Sequence, residues 1–221
     1  LDLTYYLINV SMLYDCLYYA NTAYISQADK DKLKNILIDC IRFADEAIDS
    51  YSSSQINRLR NWGYFPDDQN YNYPVASIIQ YRMQLYGAMG LASLLLRATD
   101  SSLYNEMNAY INEIDNIFLN NPLPSPFPTD KQYQGMLSFH TTISGANFES
   151  LIYQSQEMLM MCPFFTAYKR LSNGAVNYYN NPNIVSCAND LSQKLLPTKE
   201  HWLYNDEYAT NTLNKYAGIA F

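Results

Sequence analysis

Few side chains in this sequence can do acid–base or metal chemistry. His140 and His201 are its histidines, and Cys16, Cys40, Cys162 and Cys187 contain no CxxC pair, so no zinc spacing can be built. No cofactor is expected. Glu149 and Tyr153 stand four residues apart, which sets both on one helix face. His140 lies just before them in "LSFHTTISG" and is the better placed histidine. A tyrosine base must give up a proton held with a pKa of about 10, so Tyr153 needs a cationic or hydrogen-bonded neighbour. Arg82 is the best cation candidate beside the polar stretch "NWGYFPDDQNYNYP". A plainer reading competes at each position. It makes Tyr153 a core residue, Glu149 a first-turn acid favoured by the helix dipole, and His140 a bonded structural group. Tyrosine supplies 22 of the 221 residues. Most such side chains pack by the ring and keep the hydroxyl wet. Others suit a sugar cleft, where ring faces stack on pyranose CH groups and hydroxyls bond sugar oxygens.

The elements that must position these residues read as helices. Leu7, Val10, Leu13, Tyr14 and Leu17 repeat at helical spacing over residues 3–20. Ser26 caps a second helix, with Asp29 in the acidic place of a capping box. That helix runs to about Ser50, with Leu33, Ile36, Leu37, Cys40, Ile41, Ala44 and Ile48 on its apolar face; Cys16 and Cys40 read as buried thiols. "SYSSSQ" is read as a closing loop, and Asn61-Trp62 opens the polar stretch. Pro74 fits the first turn of a third helix, where a missing N–H costs nothing. Gly87 and Gly90 interrupt that helix at roughly 1 kcal/mol each relative to alanine, so a close approach to a neighbouring helix is expected. A fourth helix spans residues 101–119, with Leu103, Met107, Tyr110, Ile111, Ile114, Ile117 and Phe118 inward. "NNPLPSPFPTD" is a break, and 131–147 is an ordered loop or short hairpin. A fifth helix covers 148–171, with Pro163 inside it. Its Met158, Met160, Met161, Phe164 and Phe165 look like core packing. A sixth covers 181–195, capped by Asn181 with Pro182 at its first position. Long helices in sequence, without βαβ alternation, predict an all-α layered or toroidal domain.

Composition excludes several classes. Hydrophobic residues at 48% and charged residues at 16% describe a globular chain rather than a disordered one. The net charge of −7, with Lys30, Lys32, Lys34 and the Arg58, Arg60 pair as the main basic groupings, gives no stripe for nucleic acid. A local cleft on an acidic protein can still be positive enough for a uronate polymer. The longest apolar run, residues 85–96, is shorter than the roughly 20 residues a bilayer span needs, so no membrane span is expected. The first residue is Leu1, consistent with a signal peptide already removed and equally with a truncated piece of a longer chain. The first reading points to a secreted or periplasmic chain.

The order of these features resembles a known group. Tyr14-Asp15 on the first helix, "SQADKDKL" opening the second, Asn61-Trp62, and "YNYPVASIIQYRMQLYGAMGLASLLL" follow one another as in the helical toroid domain of heparinase II/III-like and alginate-lyase-like polysaccharide lyases. "SGANFESLIYQSQ" then supplies Gly145, Phe148, Glu149 and Tyr153 in the order of the family's second site element, and "PFFTAYKRLSNG" follows. The resemblance implies an all-α fold, an α/α toroid or incomplete barrel of antiparallel helix hairpins, over residues 1–197. It implies that 198–221 is a tail, in which "LLPTKEHWLYNDEY" resembles the exit toward a further β-rich domain. It implies cleavage of acidic, uronate-containing polysaccharide by β-elimination. By this correspondence Tyr153 and Asn72 are catalytic, and His140 joins them as a catalytic candidate through its place just before the Glu149–Tyr153 segment. Tyr73, Gln80, Arg82, Glu149 and Trp62 contact substrate. Tyr73 departs from the pattern, standing where the family has a histidine. That departure keeps a second reading open, a non-catalytic carbohydrate-binding or assembly domain. A third is a structural helical protein whose tyrosines serve protein contacts.

Overall fold

Local signals at the helix ends set the frame. The computed structural model describes residues 2–20, 24–61, 76–119, 137 and 151–194, with side chains throughout except at 2, 47–61, 76–82, 151–157, 191, 193 and 194. Every regular element among the described residues is helical. They are α1 Asp2–Tyr18, α2 Gln27–Asn61, α3 Ala76–Thr99, α4 Tyr104–Leu119, α5 Leu151–Leu171 and α6 Pro182–Lys194, with single 3-10 turns at Ser101–Leu103 and Tyr178–Asn180.

The caps are those the sequence dictates. The Asp29 amide donates to Ser26 Oγ at 3.2 Å, and the Ser26 hydroxyl donates back to Asp29 Oδ2 at 2.6 Å. The Asn183 amide donates to Asn181 Oδ1 at 2.9 Å, and Pro182 begins α6. Asp100 caps the first 3-10 turn through Ser102 N at 2.9 Å. The loop expected at residues 50–55 is absent, because α2 continues through it to Asn61. Residues 50–61 contain neither Pro nor Gly, and serine is only a mediocre helix former, not a breaker. Asn61 therefore ends a helix rather than opening a loop. Pro163 lies inside α5 without ending it.

The buried stripe of α1 is Thr4, Leu7, Ile8, Ser11 and Tyr14. Leu13, expected inward, is 47% exposed. One residue turns a helix by about 100°, so a stripe centred on 7, 11 and 14 leaves position 13 outside. The same rotation exposes Cys16, which was expected buried, while Cys40 is half-buried. Lys30 is buried and ties the first hairpin together. Its Nζ donates to the carbonyls of Tyr18 at 2.9 Å and Ala20 at 2.6 Å, satisfying acceptors that the end of α1 leaves open.

Helix α3 is the hub. Between Met83 and Leu96 nearly every side chain is buried, as a helix apolar on all sides requires. It packs against α1, α2, α4 and α5. Tyr14 and Tyr18 reach Thr99 through their hydroxyls, at 3.2 Å to Oγ1 and 3.1 Å to the carbonyl, so α1 and α3 end together and run parallel. Lys34, near the start of α2, pairs with Asp100 just past the end of α3 at 3.0 Å, so these two run antiparallel. Across α4 and α5, Asp115 meets Tyr168 and Phe118 meets Phe164, again antiparallel. The α3–α5 pair is parallel: Gly87 lies against the backbone of Met160 and Met161, and Gly90 against the ring of Phe164. Both glycines therefore sit at the tight helix contact expected of them. Helices α1, α3 and α5 point one way, with α2 and α4 the other.

The α4 stripe of Met107, Ile111, Ile114 and Phe118 closes the core from one side. Phe118 sits edge-on to Tyr86, Phe165 and Tyr178, and Phe165 stacks on Tyr178 at 4.5 Å between centroids. Met158, Met160, Met161, Phe164 and Phe165 are all buried in this core.

Candidate functional site

The parallel register of α3 and α5 determines what lies at each end of the bundle. Gly87 beside Met161 and Gly90 beside Phe164 share one offset of 74 residues. That offset brings position 80 level with position 154. Position 80 lies seven residues, two turns, before Gly87, and position 153 lies two turns before Met160. Two turns return a helix nearly to the same face. The early turns of α3 and α5, which carry Gln80 and Tyr153, thus lie at the same end of the bundle. Arg82 is also on α3. The side chains of Gln80, Arg82 and Tyr153 lie outside the described residues. Trp62, Asn72, Tyr73, His140 and Glu149 lie outside them altogether.

Further along the bundle is a half-buried carboxylate, Asp115, that the sequence did not single out. Asp115 Oδ2 accepts from the Tyr168 hydroxyl at 2.8 Å, and Oδ1 accepts from the Tyr178 hydroxyl. Burial pushes the Asp115 carboxyl above its ordinary range, against the pull of both hydroxyls and the Arg97 charge. Burial and the carboxylate together push the Tyr168 and Tyr178 phenols far up. These phenols stay protonated, so they are donors and not bases. The Arg97 guanidinium donates to Asn108 Oδ1 at 2.8 Å and stands 6.0 Å from the Tyr104 ring centroid and 5.9 Å from that of Tyr168. With both oxygens of Asp115 occupied, the arrangement fastens α4 to α5 and to the turn at Tyr178–Asn180. The faint signal in the sequence was an acid four residues after Ile111, at the edge of the α4 stripe.

At the far end of α5 an open surface dish of about 510 Å³ is lined by Thr166, Lys169, Arg170, Asn173, Gly174 and Tyr179. The Tyr179 hydroxyl donates to the Cys162 carbonyl at 3.1 Å. Its one proton is then spent, so Thr166 Oγ1, at 2.7 Å, donates to it. Burial first, partly offset by the Thr166 bond, pushes the Tyr179 phenol up to about 12. The Lys169 ammonium stands 5.9 Å from the centroid of the Tyr179 ring.

Cys162 and Cys40 are pushed up by burial, which keeps them as thiols rather than reactive thiolates. Among the described residues no group of three or more His, Cys, Asp or Glu side chains is arranged to hold a metal ion. No described helix is long and apolar enough to cross a membrane. No protein-family model matches this chain, and no curated protein and no solved structure matches it.

Proposed function

We propose that this chain is the helical domain of a carbohydrate-active protein, an α/α toroid that cleaves acidic polysaccharide by β-elimination. The observation that carries the reading is the parallel α3–α5 pair. It brings the helix starts bearing Gln80 and Tyr153 to one end of the bundle. The alternation of α1, α3 and α5 against α2 and α4 supports the toroid, in which successive hairpins line up their inner helices in one direction.

In the reaction, the C5–H bond of a uronate breaks and its proton passes to a base. The C5 electrons form the C4–C5 double bond as the C4–O bond to the leaving sugar breaks. That oxygen takes a proton from an acid. Tyr153 and His140 are the acid and base candidates. The amides of Asn72 and Gln80 hold the carboxylate and lower the cost of charge building at C5. Tyr73 and Trp62 offer ring faces to the sugar, and Arg82 and Glu149 offer charge and hydrogen bonds along the chain. Such a substrate lies outside the cell, which agrees with a secreted or periplasmic chain working beside a β-rich domain.

Tyr73 at the histidine position favours a second reading, a domain that binds the polysaccharide without cleaving it. Incubation with alginate, heparan and chondroitin chains separates the two. Unsaturated ends, seen as new ultraviolet absorbance and abolished by Tyr153→Phe, support the lyase. Retention of a polysaccharide without any unsaturated product supports the binding domain and refutes catalysis.

A further inference from the structure

The cations of this acidic chain are unevenly engaged. Lys30 is bonded to two carbonyls, Lys32 to Asp29, Lys34 to Asp100, Arg42 to Glu106 and Arg97 to Asn108. Lys169 and Arg170 make no side-chain hydrogen bond or ion pair among the described residues, and both line the same dish, whose described lining contains no carboxylate. Cations in a last helical turn often serve to satisfy its free carbonyls. Here that role is already filled by backbone. The Ser172, Gly174 and Asn173 amides donate to the carbonyls of Tyr168, Lys169 and Arg170 at 2.9, 2.8 and 3.1 Å. Asn173 and Gly174 make this closure by taking positive φ, 52° and 82°. The space above Gly174 is open, with nothing within 4 Å of where a Cβ would stand. On a chain of net charge −7, two cations at one open concavity, neither offset by a described carboxylate, mark a local reversal of sign.

We infer that this dish, formed by Lys169, Arg170, Asn173, Thr166 and Tyr179 at the end of α5, is a second saccharide site that holds one acidic sugar unit. The carboxylate of the sugar lies against the ammonium of Lys169 and the guanidinium of Arg170, which can grip it with two parallel N–H groups. The Asn173 amide both donates and accepts, as sugar hydroxyls require. Thr166 spends its proton on Tyr179 and keeps lone pairs for a sugar hydroxyl. Tyr179 is fixed by those two bonds, and its ring supplies an apolar wall for pyranose CH groups. The dish lies at the opposite end of α5 from Tyr153. It would hold a distant unit of a chain, or a separate chain, without touching the reacting bond. The choice of a sugar rests on the carbohydrate reading above; the charge reversal does not.

The test is calorimetric titration of the whole chain with a short oligouronate prepared from alginate, in low salt. The Tyr153→Phe protein serves as the parent, so that no cleavage occurs. Adding Lys169→Ala and Arg170→Ala should weaken binding by tenfold or more, since each substitution removes a charge-assisted bond. Both side chains are exposed, so folding is preserved, and an unchanged melting temperature verifies it. A neutral oligosaccharide should show no binding that depends on these cations. Equal affinity with and without Lys169 and Arg170, or no oligouronate binding at all, overturns the inference. Inorganic phosphate competing as well as the oligouronate reduces the dish to a plain anion site and also overturns it. Lyase activity of the wild-type chain is read separately by its unsaturated product, so loss of that reading and loss of this one are distinguishable.

Discussion

Adding a single methyl group at Gly90 tests the packing of the bundle. A Cβ built at Gly90 stands 2.6, 2.7 and 2.9 Å from three ring carbons of Phe164. The ring has little room to retreat. Phe164 is fully buried, with Phe165, Tyr168 and Tyr178 at 5.9, 5.6 and 5.8 Å between centroids and Phe118 at 6.4 Å. In a solvent-exposed helix, Gly→Ala would stabilise by about 1 kcal/mol through lower chain entropy. Here overpacking opposes it at ~1–3 kcal/mol, and contacts under 3 Å favour the upper half of that range. Gly90→Ala should therefore cost about 1–2 kcal/mol net, and Gly90→Leu clearly more. For a chain of this size that lowers Tm by roughly 2–8 °C for the alanine variant. Gly87 is a graded control. Its added Cβ meets Met161 Cα at 3.2 Å and the Met160 carbonyl at 3.3 Å, a milder squeeze, so Gly87→Ala should lie nearer to neutral. Urea and thermal unfolding of both variants give the magnitudes. Phe164→Leu in the Gly90→Ala background should be less destabilising than the two changes summed, because the smaller side chain vacates the space the methyl needs. A Gly90→Ala protein as stable as wild type, or strictly additive behaviour with Phe164→Leu, would refute this account of the α3–α5 contact.

Two carboxylates should respond to acid in opposite directions. The Ser102 hydroxyl, Lys34 and the Ser102 amide hold Asp100 at about 2, below its ordinary 3.8. Its contribution is complete above 3.8 and disappears as pH falls toward 2. Asp100→Asn should lose about 1–2 kcal/mol near neutral pH, after allowance for solvent screening, and flatten the acid limb of stability. An acid limb parallel to wild type would be the contrary result. Asp115 is raised by burial, so its contribution is fullest below 3.8 and is lost as pH rises through the raised value. Asp115→Asn should be worse relative to wild type at about pH 3 than at about pH 7. Asp115→Ala strands the buried hydroxyls of Tyr168 and Tyr178 and should cost ~2–4 kcal/mol. Denaturant titrations at the two pH values check both, and an Asp115→Ala cost under about 1 kcal/mol would show the fastening to be idle.

Much of the local structure was determined by the sequence alone. The Ser26 and Asn181 caps, Pro182 at the start of α6 and the periodicity of the α4 stripe follow from interactions within a turn or two, which neighbouring residues in the chain control; Gly87 and Gly90 signalled a close approach, but not the helix that makes it. The run of α2 through 50–61 is hidden in the sequence because serine-rich polarity resembles a loop, although nothing in that stretch breaks a helix. Rotation of a helix about its axis is less local. The partners of α1, not its own periodicity, decided that Leu13 and Cys16 face outward. The Glu149–Tyr153 spacing reads in the sequence as an expectation of one shared helix face, with Glu149 outside the described residues, and the order of residues reads as a pattern along the chain. Neither carries information on which helix lies beside which. Only the tertiary structure set α3 parallel to α5, bringing the turns that carry Gln80 and Tyr153 level across 73 residues of sequence. Packing likewise joined Asp115 to Tyr168 and Tyr178, and left Lys169 and Arg170 without a hydrogen bond or ion pair among the described residues, while the other described cations have one. Charges and hydroxyls are promiscuous in sequence. Their role is set by what burial brings near them, and that depends on how the connections return each helix to the core.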